Sequence, residues 1–263
     1  MGHAVPVDQT YFRRTGPTTF APTEHVGGAW RTDEQHIAPA MGLMAHAVEL
    51  DLDARRSDGV RLSRLSYDIL GVLPLEEVEI EVRVVRPGRT VELVEAVLTH
   101  AGRPGVLLRA WLLAGGDTGE VAGTDLPPMP DPESFDEWDP TTVWPGGFIA
   151  SASLRRDHHG PGRGRFWARS ATQLLEEPAS ATATAMGLLD IANGMTVRAD
   201  PREVAFPNVD LTAHLLRAPE PGWLGFDTTV SFGPGGLGVT SSVLHDEHGP
   251  IGTLSQSLTV RPG

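Results

Sequence analysis

The chain has 263 residues and a formal net charge of −13, which argues against nucleic acid or an anionic membrane as partner. It contains no cysteine and no lysine, all 21 basic residues being arginine. Disulfides, thiolate nucleophiles, zinc–sulfur sites, Schiff-base lysines and Walker-type phosphate loops are thereby excluded together. At 40 % hydrophobic and 21 % charged, with no apolar run approaching ~18 residues, it reads as a soluble chain without a membrane span, long enough for one large domain or two small ones. The stretch Met1–Thr19 lacks a charged-then-apolar signal pattern, and the lack of cysteine suits a cytoplasmic protein.

A short strand is expected over Thr19–Val26. Ile37–Leu52 follows, with Ile37, Met41, Met44 and Val48 near helical spacing and Pro39 in the first turn, where its missing N–H costs little. Val78–Val84 alternates with a period of two, Arg86-Pro-Gly-Arg89 interrupts it, and further strands are expected over Thr90–His100 and Val106–Leu113. Ala114–Gly147 is rich in Pro, Gly, Asp and Glu, has no sustained period and reads as a connector, its acidic run Asp131–Asp139 as solvated chain. The same order then returns: a strand over Phe148–Arg155, a helix over Ser180–Asn193 stopped by Gly194, and strands over Asn208–Leu216, Trp223–Ser231, Leu237–His245 and Ile251–Val260. The expected organisation is a first unit (1–113), a linker (114–147) and a second unit (148–263).

The recurrence extends to the residues. Ala40-Met-Gly-Leu-Met44 returns as Ala185-Met-Gly-Leu-Leu189 after 145 residues, and Arg64–Leu113 lies on Asp210–Thr259 without a gap at a shift of 146. Two copies of one folding unit can bury a shared face. A polar residue present in one copy only was not required by the fold, so the differences between copies point to chemistry.

Several motif matches carry little. Gly233-Pro-Gly235-Gly-Leu-Gly238 fits a dinucleotide fingerprint literally but leads into a strand, so no helix N-terminus awaits a pyrophosphate. His158-His159 and the pair His245 and His248 fall near turns, without the spacing of a metal site. There is no G-x-S-x-G nucleophile elbow. The copy-to-copy differences are more informative: Asp210 lies over Arg64, Ser231 over Val85 and Gln256 over Ala110. A carboxylate with two neutral hydrogen-bonding groups can hold and deprotonate a water molecule. The competing reading makes Asp210 a turn cap and Gln256 an exposed strand residue.

Two segments, Phe206–Arg217 (FPNVDLTAHLLR) and Gly236–Val260, resemble the C-terminal half of type II acyl-CoA thioesterases. Trp30–Glu49 and Leu65–Leu98 resemble the N-terminal half. The resemblance implies an α+β double hotdog, two curved antiparallel sheets each wrapped around a central helix. It implies hydrolysis of acyl-CoA, or a related acyl thioester, by water held on an Asp, a Ser or Thr and a Gln, with no metal or organic cofactor. By motif position these are Asp210, Gln256 and Ser231, with Thr228 or Thr229 as alternatives for the hydroxyl. Backbone N–H groups at a central-helix N-terminus would stabilise the oxyanion. Where relatives carry Gln-His-Gly-Gly-Pro, this chain has Gln35-His36-Ile37-Ala38-Pro39, which narrows the approach to the first helix; His36 reads first as a cap-region residue. Arg155, Arg156, Arg163 and Arg165 are the densest cluster for coenzyme A phosphates, though a solvated hairpin explains them equally. A non-catalytic acyl-thioester or lipid-binding protein of the same fold is the alternative. A hotdog dehydratase, pairing Asp with His, has only Asp210 and His214 to offer, roughly 13 Å apart along one strand. An exposed sheet edge or face leaves room for self-association.

Overall fold

The computed structural model describes residues 9–263, so the part of the signal-sequence reading that rests on residues 1–8 lies outside the described residues. In the first half, short strands β1 (Phe12–Arg14) and β2 (Thr19–Pro22) precede helix α1 (Ile37–Arg55). Strands β3 (Val60–Ile69), β4 (Val78–Arg86), β5 (Val91–His100) and β6 (Arg103–Ala114) follow. The second half opens with β7 (Asp136–Trp138), the one-turn helix α2 (Gly147–Ser151), β8 (Ala152–His158) and β9 (Arg163–Ser170). After these come helices α3 (Ala181–Met186) and α4 (Ala192–Met195), β10 (Val204–Ala205), β11 (Asp210–Leu215), β12 (Leu224–Phe232), β13 (Leu237–Asp246), β14 (Gly249–Thr259) and β15 (Arg261–Pro262).

Helix α1 is buried on nearly every side, from Ala38 through Met44, Ala45 and Val48 to Leu52, as a helix enclosed by a sheet must be. The strands around it alternate inward apolar and outward polar residues: in β11, Leu211, Ala213 and Leu215 are buried while His214 is exposed.

Three features differ from the sequence expectation. First, the two halves do not keep separate sheets. Among the described residues thirteen strands form one continuous sheet, ordered β1-β2-β4-β5-β6-β3-β11-β14-β13-β12-β9-β8-β7. The seam is the antiparallel pair β3–β11, in which Ser66 lies opposite Thr212 and their hydroxyls hydrogen-bond at 2.8 Å. These two residues are also 146 apart, so they are equivalents in the repeat and lie on an approximate two-fold axis between the copies. Pairing across the axis satisfies two edge strands that separate sheets would leave open.

Second, the second central helix is broken. Ser180 caps it through a bond from the Ala183 N–H (2.9 Å), but α3 ends at Met186; a 3-10 turn (Leu189–Ile191) and α4 follow. The break begins at Gly187, whose repeat equivalent is Gly42. The helices cross where these glycines meet: a Cβ added to Gly42 would lie 2.8 Å from both the Ala183 carbonyl oxygen and the Gly187 Cα. Glycine is needed at position 42 for that approach, whereas a Cβ on Gly187 would meet Gly42 only at an ordinary 3.7 Å.

Third, the end of the connector belongs to the sheet, because Asp136–Trp138 pairs with Arg156–Leu154 at its edge. The segment expected to begin a strand at Phe148 first makes α2 and becomes extended only at Ala152. No helix among the described residues is long and apolar enough to cross a membrane.

Candidate active site

The break after Gly187 sets Asp190 in the 3-10 turn, where the residue is only 8 % exposed. Its Oδ1 accepts two amide hydrogen bonds: from Asn208 Nδ2 at 2.6 Å and from Gln256 Nε2 at 3.2 Å. Asn208 stands just before β11 and anchors itself by a second bond to the Asp210 carbonyl oxygen (3.1 Å). Gln256 faces inward from the middle of β14, 2 % exposed, and its Oε1 is buried without a partner among the described residues. The other carboxylate oxygen, Oδ2, accepts no hydrogen bond among the described residues and is not sealed from solvent. Burial pushes the Asp190 carboxyl up to about 7, against the opposing pull of the two amide donors.

Asp190 lines a cavity of about 320 Å³ at the junction of the two halves. Trp30, Trp144 and Phe206 form an edge-to-face cluster on its wall, with ring centroids 4.8 Å apart for Trp30–Trp144 and 5.4 Å for Trp30–Phe206. Ile37, Ile69 and Leu73 add apolar surface from the first half. His36, the N-cap of α1, also lines the cavity. Its Nδ1 accepts the Ala38 N–H (3.2 Å) and lies 3.9 Å from Asp190 Oδ2, so residues from both copies meet here. Burial holds His36 down at about 3, and the ring is neutral at any ordinary pH. The 3.9 Å approach is therefore not an ion pair.

Of the residues assigned a catalytic role from the sequence, Gln256 reaches this centre and the others lie elsewhere, while His36 is the α1 cap, as read from the sequence, and lines the cavity. Asp210 follows strand parity, preceding inward Leu211, and its Oδ1 accepts the Ser257 N–H (2.5 Å). Ser231 is exposed on β12, opposite Val239. Thr228 is buried with its hydroxyl bonded to Ser242 (2.8 Å), and Thr229 is exposed. None of these four lines the cavity. The arginines of the β8–β9 hairpin are engaged locally: Arg155 with Glu137, Arg163 with Asp227, Arg165 with Asp157, and Arg156 over the Trp138 ring.

Asp190 and Asn208, which the sequence reading did not single out, were open to the same copy-to-copy comparison. In the 145-residue register Asp190 lies over Ala45, one position past the matching run Ala40–Met44. In the 146-residue register Asn208 lies over Leu62, two positions before the gapless alignment starts.

The sequence matches two family descriptions in tandem: acyl-CoA thioesterase N-terminal domain over residues 27–113 and acyl-CoA thioesterase C-terminal domain over residues 123–260. The chain belongs to the acyl-CoA thioesterase family. It is accordingly a thioester hydrolase, and its fold has solved counterparts. A conserved protein of unknown function with a hot dog fold from Alicyclobacillus acidocaldarius superposes with a TM-score of 0.74 at 13 % identity, covering 100 % of both chains. The tesB protein of Mycobacterium avium subs paratuberculosis gives 0.68 at 16 % identity, covering 95 % of this chain and 96 % of its own. An acyl-CoA thioesterase II, TesB2, from Mycobacterium marinum gives 0.68 at 14 % identity, covering 96 % of each chain. At these identities the likeness speaks to the fold. No curated protein matches the sequence.

Proposed function

We propose that this thioesterase hydrolyses acyl-CoA, or a closely related acyl thioester, by direct attack of a water molecule held on Asp190 Oδ2. The observation that carries the reading is the division of labour on one carboxylate. Oδ1 is fixed by Asn208 and Gln256, while Oδ2 is left free on a residue that faces an apolar cavity. A base whose proton affinity lies near neutrality suits general-base catalysis, typically worth about 10²–10⁴ in rate. Asp190 takes a proton from the water as the oxygen attacks the thioester carbonyl. The tetrahedral species collapses with cleavage of the C–S bond, and the proton held by Asp190 returns to the departing thiolate.

In this reading Gln256 keeps the role expected from the sequence. The carboxylate role falls to Asp190 rather than Asp210, and the neutral role to the Asn208 amide rather than a hydroxyl. The cavity volume of about 320 Å³ and its aromatic wall fit a compact or medium-length apolar acyl group. Thiol release from a panel of short- to long-chain acyl-CoAs, compared between the wild type and Asp190→Asn, tests the proposal. Turnover abolished in a folded variant supports it; a variant that retains wild-type turnover contradicts it.

A further inference from the structure

A thioester hydrolase must stabilise the negative charge that develops on the carbonyl oxygen, usually with backbone N–H groups or side-chain donors aimed at that point. The N-terminus of α1 adjoins the Asp190 cavity, and four N–H groups there lack intrahelical acceptors. Three of the four are gone in this chain. The His36 N–H donates to the Val26 carbonyl oxygen (2.7 Å), the Ala38 N–H is spent on His36 Nδ1 (3.2 Å), and Pro39 has none. Among the described residues, Ile37 alone keeps its N–H. A backbone oxyanion hole of two donors cannot be assembled from this helix end.

The side chain that takes up the Ala38 N–H supplies a replacement. Because Nδ1 accepts that hydrogen bond, the proton of the neutral ring resides on Nε2. Nε2 makes no hydrogen bond among the described residues, and it is not a sealed buried atom, although the side chain as a whole is only 11 % exposed. The ring is held in place by packing on Phe148, with centroids 4.3 Å apart. His36 thus carries one uncommitted donor on a ring that lines the cavity and whose other nitrogen, Nδ1, lies 3.9 Å from the oxygen that would activate water.

We propose that His36 Nε2–H, together with the Ile37 N–H, donates to the thioester carbonyl oxygen and stabilises the oxyanion, resting on the hydrolase mechanism through Asp190. His36 transfers no proton in this step. The C–O bond forms as Asp190 takes the water proton, the C–S bond breaks, and that proton ends on sulfur. A neutral imidazole can serve as such an electrophile where its charged form is disfavoured, as burial ensures here. The replacement of the glycines expected at this turn by Ile37 and Ala38 is consistent with a helix end that has moved part of its donor function onto a side chain.

The test is His36→Asn in the full-length chain. Asparagine is a strong N-cap and can still accept the Ala38 N–H, but its shorter side chain does not reproduce the Nε2 donor. Expected are a fall in kcat of about 10²–10³, a KM within about threefold of the wild type, an unchanged melting temperature, and a pH–rate limb that stays where the wild type has it. A folded His36→Asn enzyme with kcat within about threefold of the wild type overturns the assignment while leaving the Asp190 mechanism standing. No thiol release by the wild type from any acyl-CoA or acyl-pantetheine overturns both. Independently of the variant, the ¹⁵N spectrum of His36 between pH 5 and 8 should show the neutral Nε2–H tautomer; an Nδ1–H tautomer or an imidazolium contradicts the proposal.

Discussion

The two halves share a fold and differ at the three positions where Asp190 and its amide partners sit. The equivalents of Asp190, Asn208 and Gln256 in the first half are Ala45, Leu62 and Ala110. Ala45 and Ala110 are fully buried, and Leu62 packs against the core. The approximate two-fold axis carries the Asp190 cavity onto a wider one of about 740 Å³, bordered by Glu49, Leu62, Ser180 and Leu215. A buried carboxylate and its amide partners are costly to retain, and this chain retains them once. The first half contributes instead the α1 cap, His36 and much of the apolar wall. On the proposed mechanism, duplication here separates a half that carries the base from a half that lines the site.

The largest effect should come from removing that base. Asp190→Asn is expected to lower kcat by about 10²–10⁴, measured as thiol release. The same change should stabilise the fold at high pH. An ordinary aspartate titrates near ~3.9 in the unfolded chain, whereas Asp190 is raised to about 7. The native state therefore binds more protons across that window, and native stability falls as pH rises through it, by up to about 4 kcal/mol, with the full penalty present above pH 7. Urea titrations should find Asp190→Asn more stable than the wild type at pH 8 and nearly equal to it at pH 4.

Gln256→Leu gives the second half the character of the first at one position. Loss of a hydrogen bond to a charged group, about 1.5–3 kcal/mol, should reduce kcat/KM by roughly 10–150-fold in steady-state assays. The reciprocal change Ala110→Gln should confer no activity and should cost stability, about 1–3 kcal/mol, through an unpartnered buried amide. Gly42→Ala strikes the shared helix crossing, where a Cβ meets backbone rather than a flexible side chain. Overpacking of this kind costs about 1–3 kcal/mol and should lower the melting temperature by roughly 2–4 °C per kcal/mol. Ser231→Ala should do least: an exposed strand residue changes stability by about 0.5 kcal/mol or less, and kcat should stay within about twofold.

Most of the fold was legible because period and repeat both report on burial. Helix α1, the strand runs after it and their recurrence 145 to 146 residues later follow from apolar spacing. The seam between β3 and β11 was not, since apolar alternation fixes which face of a strand is buried and leaves its edge partner open. The broken second helix was missed because apolar spacing runs on through Gly187, although the helix itself ends at Met186.

The site was legible only where strand parity cooperated. Gln256 is inward among outward Ser255 and Ser257. Ser231 differs between the copies as well, but its counterpart Val85 is also exposed, 41 % by surface, so that difference lies in solvent. Copy-to-copy asymmetry therefore marks chemistry only at positions that face inward, and the sequence alone does not say which do. Asp190 shows this most clearly: its carboxylate draws meaning from burial and from two amides distant in the chain.

The most direct test of a single buried base in the second half is the pH dependence of kcat/KM for the wild type with its best acyl-CoA. Activity should rise with pH through one limb near 7 and then level off, with that limb absent from the residual activity of Asp190→Asn. A limb in the ordinary carboxylate range, about 4, or an unaltered limb near 7 in Asp190→Asn would place the base elsewhere.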